Sequence, residues 1–151
     1  MLWHDAAFSY LHFTFALILT GALAAEAFVL RLPVDGRVAR LLLRIDAFYG
    51  ASAVAVILAG LARVFWGLKD EGFYGGQPFF WAKMATFAVI GLISIAPTLR
   101  FIRWVKAANA DAAFAAPEAE VKAIRRAVMV ELHLLALVPL FAVLMARGVG
   151  G

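Results

Sequence analysis

The chain contains no cysteine. That absence excludes disulfides, thiolate-held metals and iron–sulfur clusters, so any redox chemistry would have to come from haem, a flavin or a quinone. Charge is scarce as well: 16% of the 151 residues are Asp, Glu, Lys or Arg. The net charge of +4 traces to two short basic segments, and so thin a distribution makes no case for nucleic acid. Attraction to anionic lipid headgroups is the simpler use of those cations.

What the chain has in abundance is apolar surface. Apolar residues make up 65% of it and the mean hydropathy is +0.91, against about 45–50% apolar content in soluble domains. Four apolar runs, at about 6–30, 45–67, 79–99 and 127–146, each reach the roughly 20 residues needed to cross a hydrocarbon core. The expected fold is all-α, an integral-membrane four-helix bundle occupying 1–151 as one domain. Ala22-Leu23-Ala24 imitates a signal-peptide cleavage site, but "MLWHDAAF" has no basic residue and the apolar run continues to Leu30. Helix I is therefore expected to be retained.

The basic residues set the expected orientation. Arg31, Arg37, Arg40 and Arg44 lie between the first two runs, and Arg100, Arg103, Lys106, Lys122, Arg125 and Arg126 between the last two. The remaining connection, "LKDEGFYGGQP", carries one Lys and two acids. The positive-inside rule places both basic segments in the cytoplasm and both termini outside, as in a multi-pass protein of a bacterial inner membrane. Pro33, Asp35 and Gly36 spell a turn after helix I, and Tyr74 with Phe73 suits the outer interface. Pro97 is expected to kink or end helix III near the inner face. Pro117, followed by Glu118 and Glu120, marks a helix start, so helix IV begins before it enters the bilayer.

Ionisable residues inside the apolar runs fall into two layers. His12 lies about 9 Å below the outer end of helix I at ~1.5 Å per residue, and Arg63 and Lys83 share its outer third. Glu26, Asp46, Tyr49, Glu131 and His133 lie toward the other side. His12 and Glu26 return to within about 40° of one direction around helix I, so both face the same way. A charge at mid-membrane costs at least ~2.5 kcal/mol, and such residues usually face the bundle and pair or bind something. Arg63 and Lys83 are near enough to the surface to snorkel, and Asp46 near enough to sit at the interface. A structural lock between Glu26 and Arg44 or Arg100 is the first expectation for the inner layer. His12 suits a hydrogen-bonded packing role or a ligand role equally.

"LHFTFALILTGALAAEAFVLR", "DAFYGASAVAVILAGLARVFWG", "PFFWAKMATFAVIGLISIAPTLRFIRW" and "ELHLLALVPLFAVLMARG" together resemble, over nearly the whole chain, a bacterial four-helix inner-membrane family of unknown function. A more distant likeness is to the J-type protoporphyrinogen oxidases and the related copper-resistance D membrane domain. In the J-type oxidases a histidine early in helix I and a lysine at the start of helix III are required, and a b-type haem is associated with the fold. His12 and Lys83 match those two positions. The resemblance thus implies a haem b or porphyrin site in the outer layer.

The residue types suit that chemistry. Neutral imidazole ligates haem iron, and an Arg or Lys near the surface neutralises propionates. His12 would be the iron ligand, with Arg63 and Lys83 as the cations; Met84, Met145 or Lys83 would supply a sixth ligand. A bis-histidine site with His133 fits less well, because the two depths differ by roughly 12 Å at ~1.5 Å per residue.

Two functions remain open. One is a haem- or porphyrin-associated redox protein; the other is a non-catalytic subunit or assembly factor of a larger membrane complex. A transporter is a weaker third, since no pair of broken helices is evident. Glu131 and His133 project about 200° apart, so they cannot both face the bundle interior. This predicts association through helix IV, as a homo-oligomer or within a complex, unless His133 is hydrated near the interface.

Overall fold

The computed structural model describes residues 2–66 and 75–149. Within them the chain forms four long helices, α1 (Leu2–Val29), α2 (Gly36–Trp66), α3 (Pro78–Ala110) and α4 (Glu118–Ala146). All four are long and apolar enough to cross a membrane. Phe73 and Tyr74, expected at the outer interface, lie outside the described residues.

Three helices run well past their apolar segments, always at the end that carries the basic residues. α2 starts at Gly36, α3 continues to Ala110, and α4 starts at Glu118. The arginine-rich segments are therefore mostly helical extensions rather than loops. Hydropathy marks only the stretch that must be apolar, whereas the helix goes on wherever backbone bonding and packing support it. Pro97 does not end α3, which continues for three more turns. Phe101 and Trp104, just beyond the proline, are buried, and their packing outweighs the ~3 kcal/mol that an interior proline costs.

The short connections carry their own caps. Oδ1 of Asp35 accepts bonds from the backbone amides of Arg37 and Val38, each at 2.9 Å, which satisfies two of the orphan donors at the start of α2. Pro117 precedes α4 as its N-cap, with Glu118 and Glu120 in the first turn, as expected. The two basic-end connections also meet each other. Asp35 and Ala115 pair as an isolated antiparallel bridge, and the amide of Ala116 donates to the carbonyl of Val34 at 2.9 Å. That bond ties the α1–α2 hairpin to the α3–α4 hairpin.

Around the bundle α1 packs on α2, α2 on α3, α3 on α4 and α4 on α1. The buried positions recur at steps of three or four: Leu42, Asp46, Tyr49 and Ser52 in α2 and Ile124, Val128, Glu131 and Leu135 in α4. Such spacing turns one face of each helix toward the bundle interior. Large apolar side chains on the outer faces, such as Phe28, Phe48, Leu58 and Leu92, are exposed where lipid would cover them.

Burial is unequal along the bundle. α1 has no buried residue before Leu19, α3 none before Ile90, and α4 none after Leu135. The tight core thus occupies the half near the basic connections. In the half near the termini the helices stand apart around a cavity.

Candidate functional site

The cavity measures about 610 Å³ and takes lining residues from all four helices. Its walls are apolar, with Leu17, Val64, Phe87, Leu132 and Val138 among them, and its ionisable members are His12, Arg63 and Lys83. The three residues assigned from the sequence to one layer are thus brought to one space. They also lie within electrostatic reach of one another.

Each is held in a way that bears on chemistry. Nδ1 of His12 is 3.1 Å from the carbonyl oxygen of Val56 on α2. A carbonyl only accepts, so Nδ1 carries the proton and Nε2 keeps its lone pair. Gly60, one turn further along α2, permits this approach: a Cβ there would stand 3.3 Å from Cε1 of His12. The Arg63 guanidinium lies over the Phe13 ring at 5.9 Å and the Lys83 ammonium over Phe80 at 5.3 Å. Among the described residues neither cation forms an ion pair. Nε of Arg63 is buried without a hydrogen-bond partner.

Met84 and Met145 also line the cavity. His133 is not there. It lies exposed on α4 with Nδ1 against the carbonyl of Met129, beside Lys122, Arg125 and Arg126. The depth argument against a bis-histidine pair agrees with this placement. Glu131, by contrast, is 1% exposed, so the two residues do occupy opposite sides of α4.

The second layer is a separate cluster in the tight half of the bundle. Glu26, Asp46 and Glu131 are 1%, 7% and 1% exposed. The Tyr49 hydroxyl donates to Oε2 of Glu131 at 3.1 Å and the Thr98 hydroxyl to Oδ1 of Asp46 at 3.0 Å. Glu26 faces Asp46, Glu131 and Tyr49 within electrostatic range.

Among the described residues the expected lock between Glu26 and Arg44 or Arg100 is absent. Arg100 pairs instead with Glu120 at 2.7 Å, Arg40 donates to Asn109 at 3.0 Å, and Arg31 lies over Phe28. The reason is depth. Glu26 is buried among apolar layers, whereas the arginines stay at the bundle end, where water solvates them. Oε1 of Glu26 and Oε1 of Glu131 have no hydrogen-bond partner. No three His, Cys, Asp or Glu side chains among the described residues are arranged to hold a metal ion.

Sequence reasoning missed the parts that position these groups. Thr98 was visible as a hydroxyl in an apolar run, which is a signal of interhelical bonding. Gly60 and the Val56 carbonyl gave none, because their role depends on which face of α2 meets α1.

None of the curated proteins or solved structures compared with the chain matches it. A family model does, over residues 4–150. The chain therefore belongs to the family described as predicted membrane protein DUF2214.

Proposed function

We propose that this protein, in a bacterial inner membrane with both termini outside, holds haem b or a related porphyrin in the cavity near the termini and serves in redox chemistry. One observation carries the proposal: an imidazole with Nδ1 fixed and two cations without an ion pair among the described residues converge on an apolar space of about 610 Å³. That set fits an amphiphile with an apolar body and acidic substituents. Nε2 of His12 would ligate the iron, the Val56 carbonyl would orient the ring and raise its basicity, and Arg63 and Lys83 would meet the propionates. Arg63 supports this directly, since its buried Nε lacks an acceptor that a carboxylate would supply. A bound haem supplies one-electron chemistry; the chain's part is to ligate, orient and exclude water.

Haemin titration of the detergent-purified protein tests the reading. A saturable Soret shift is expected, lost in His12→Ala and weakened in Arg63→Gln and Lys83→Gln. Haemin that binds equally to wild type and His12→Ala overturns it. Protein that stays colourless and takes up nothing favours the non-catalytic subunit, meeting its partner through the exposed face of α4.

A further inference from the structure

Three carboxyl groups from three helices lie inside the tight half of the bundle, and among the described residues no cation pairs with them. Glu26 comes from α1, Asp46 from α2 and Glu131 from α4, while α3 contributes only the hydroxyls of Ser94 and Thr98. Tyr49 is another titratable group in the cluster, and its hydroxyl donates a hydrogen bond to Oε2 of Glu131. Apolar layers close both ends: Leu19, Leu23 and Ile90 toward the cavity, and Leu42, Phe101 and Trp104 toward the basic connections, all 3% exposed or less. Glu26 and Glu131 are each 1% exposed and Asp46 7%, too little to solvate three negative charges, and like charges in a low dielectric repel strongly.

Four of the six carboxyl oxygens carry the detail of the argument. Oε2 of Glu131 and Oδ1 of Asp46 accept hydroxyl bonds, whereas Oε1 of Glu26 and Oε1 of Glu131 are buried and accept nothing. A buried acceptor without a donor is costly, by about 1–3 kcal/mol and more for a charged group. A proton on one of these oxygens removes a charge and creates a donor at the same time. Among the described residues the acids are not arranged as a group that could hold a metal ion, which leaves a proton as the simplest occupant.

We propose that Glu26, Asp46 and Glu131 constitute a proton-binding site, in which Glu26 or Glu131 holds an exchangeable proton at neutral pH. The balance is simple: a carboxylate takes a proton from water and becomes a neutral acid, with no other bond made or broken. Because the acids belong to α1, α2 and α4, gain or loss of that proton changes the repulsion between three helices at once. The site is separate from the cavity and stands whether or not a porphyrin binds there.

Infrared spectroscopy of the purified protein in detergent tests this. At neutral pH the solvent-exposed Asp and Glu side chains are ionised, so a carbonyl stretch from a protonated carboxylic acid reports a buried proton. The expected band shifts in deuterated buffer, moves with isotope-labelled glutamate in the wild type, and gives way to carboxylate absorption as the pH is raised. It is lost or shifted in Glu26→Gln or in Glu131→Gln. Absence of the band from the wild type at neutral pH overturns the proposal without any variant having to fold. So does a band that glutamate labelling leaves in place, or one that disappears on adding sodium at fixed pH, which would make a metal cation the occupant.

Discussion

The hydroxyl of Tyr49 on α2 donates to Oε2 of Glu131 on α4 across the bundle interior, at 3.1 Å. These helices lie on opposite sides of the ring of packed neighbours, so the bond spans the core rather than stitching an adjacent pair. Tyr49→Phe keeps the ring and its packing but leaves both oxygens of Glu131 unpartnered. Its expected cost is about 1–3 kcal/mol, read as a lower thermal midpoint in detergent. An unchanged midpoint would mean that the bond contributes nothing in solution.

Gly60 lies where the His12 ring passes closest to α2. A Cβ there would stand 3.3 Å from Cε1 and 3.4 Å from Nδ1, so Gly60→Ala displaces the imidazole and lengthens its bond to Val56. The expected result is haemin affinity weakened by up to about tenfold, less than His12→Ala produces, with little change in folding. Affinity equal to wild type in a titration would show that His12 does not depend on this approach.

Glu26 lacks the arginine partner that its sequence position suggested, and this reverses the sign of a mutational effect. Removing one member of a buried ion pair is strongly destabilising, whereas replacing an unpartnered buried acid with a neutral isostere is not. Glu26→Gln is therefore expected to melt at or above the wild-type temperature. A marked drop would reinstate an ionic lock.

At the other end of α2, the carboxyl of Asp35 is held below the usual aspartate range, chiefly by the Val38 amide, with Arg37 adding to it. A lowered value in the folded chain means that the capping contribution is complete above the unfolded-chain value. It fades as the pH falls through the folded one. Asp35→Asn should keep most of the cap and Asp35→Ala lose it, with the difference between Asp35→Ala and wild type shrinking in acid. Thermal melts across an acidic pH series measure this.

Glu120 and Glu118 both begin α4, yet only one reaches another helix. Oε2 of Glu120 accepts from Arg100 at 2.7 Å and from the Trp104 indole at 3.1 Å, both on α3, while Glu118 pairs with Lys122 of its own helix. Glu120→Ala should lower the thermal midpoint more than Glu118→Ala, because isolated exposed pairs contribute little. Equal midpoints would show that the α3–α4 clamp is as weak as the surface pair.

Much of the architecture was legible along the chain because crossing a membrane imposes a one-dimensional rule. Four stretches had to be apolar for the width of the bilayer, and Pro117 with its acids had to start a helix. The convergence of His12, Arg63 and Lys83 could be anticipated from depth alone, since residues at equal depth in a narrow bundle meet if they face inward. The partners of Glu26 and Arg100 could not. Several arginines were within plausible reach, and choosing among them needs the rotation of each helix about its axis. Packing sets that rotation, and it turned Arg100 toward Glu120 and left Glu26 among acids.

By itself, then, the sequence determined the class of fold, the number of long apolar helices and the two depths at which ionisable groups lie, because hydrophobic transfer acts on each segment independently. The tertiary structure alone decided that one layer opens onto a cavity while the other is sealed. The physical reason is the pairing of the two hairpins at their basic ends, through Val34 and Ala116. With the helices joined there, interlocking of the buried seams closes one half of the bundle around unpaired acids. The far half, free of such a tie among the described residues, stands apart around His12, Arg63 and Lys83.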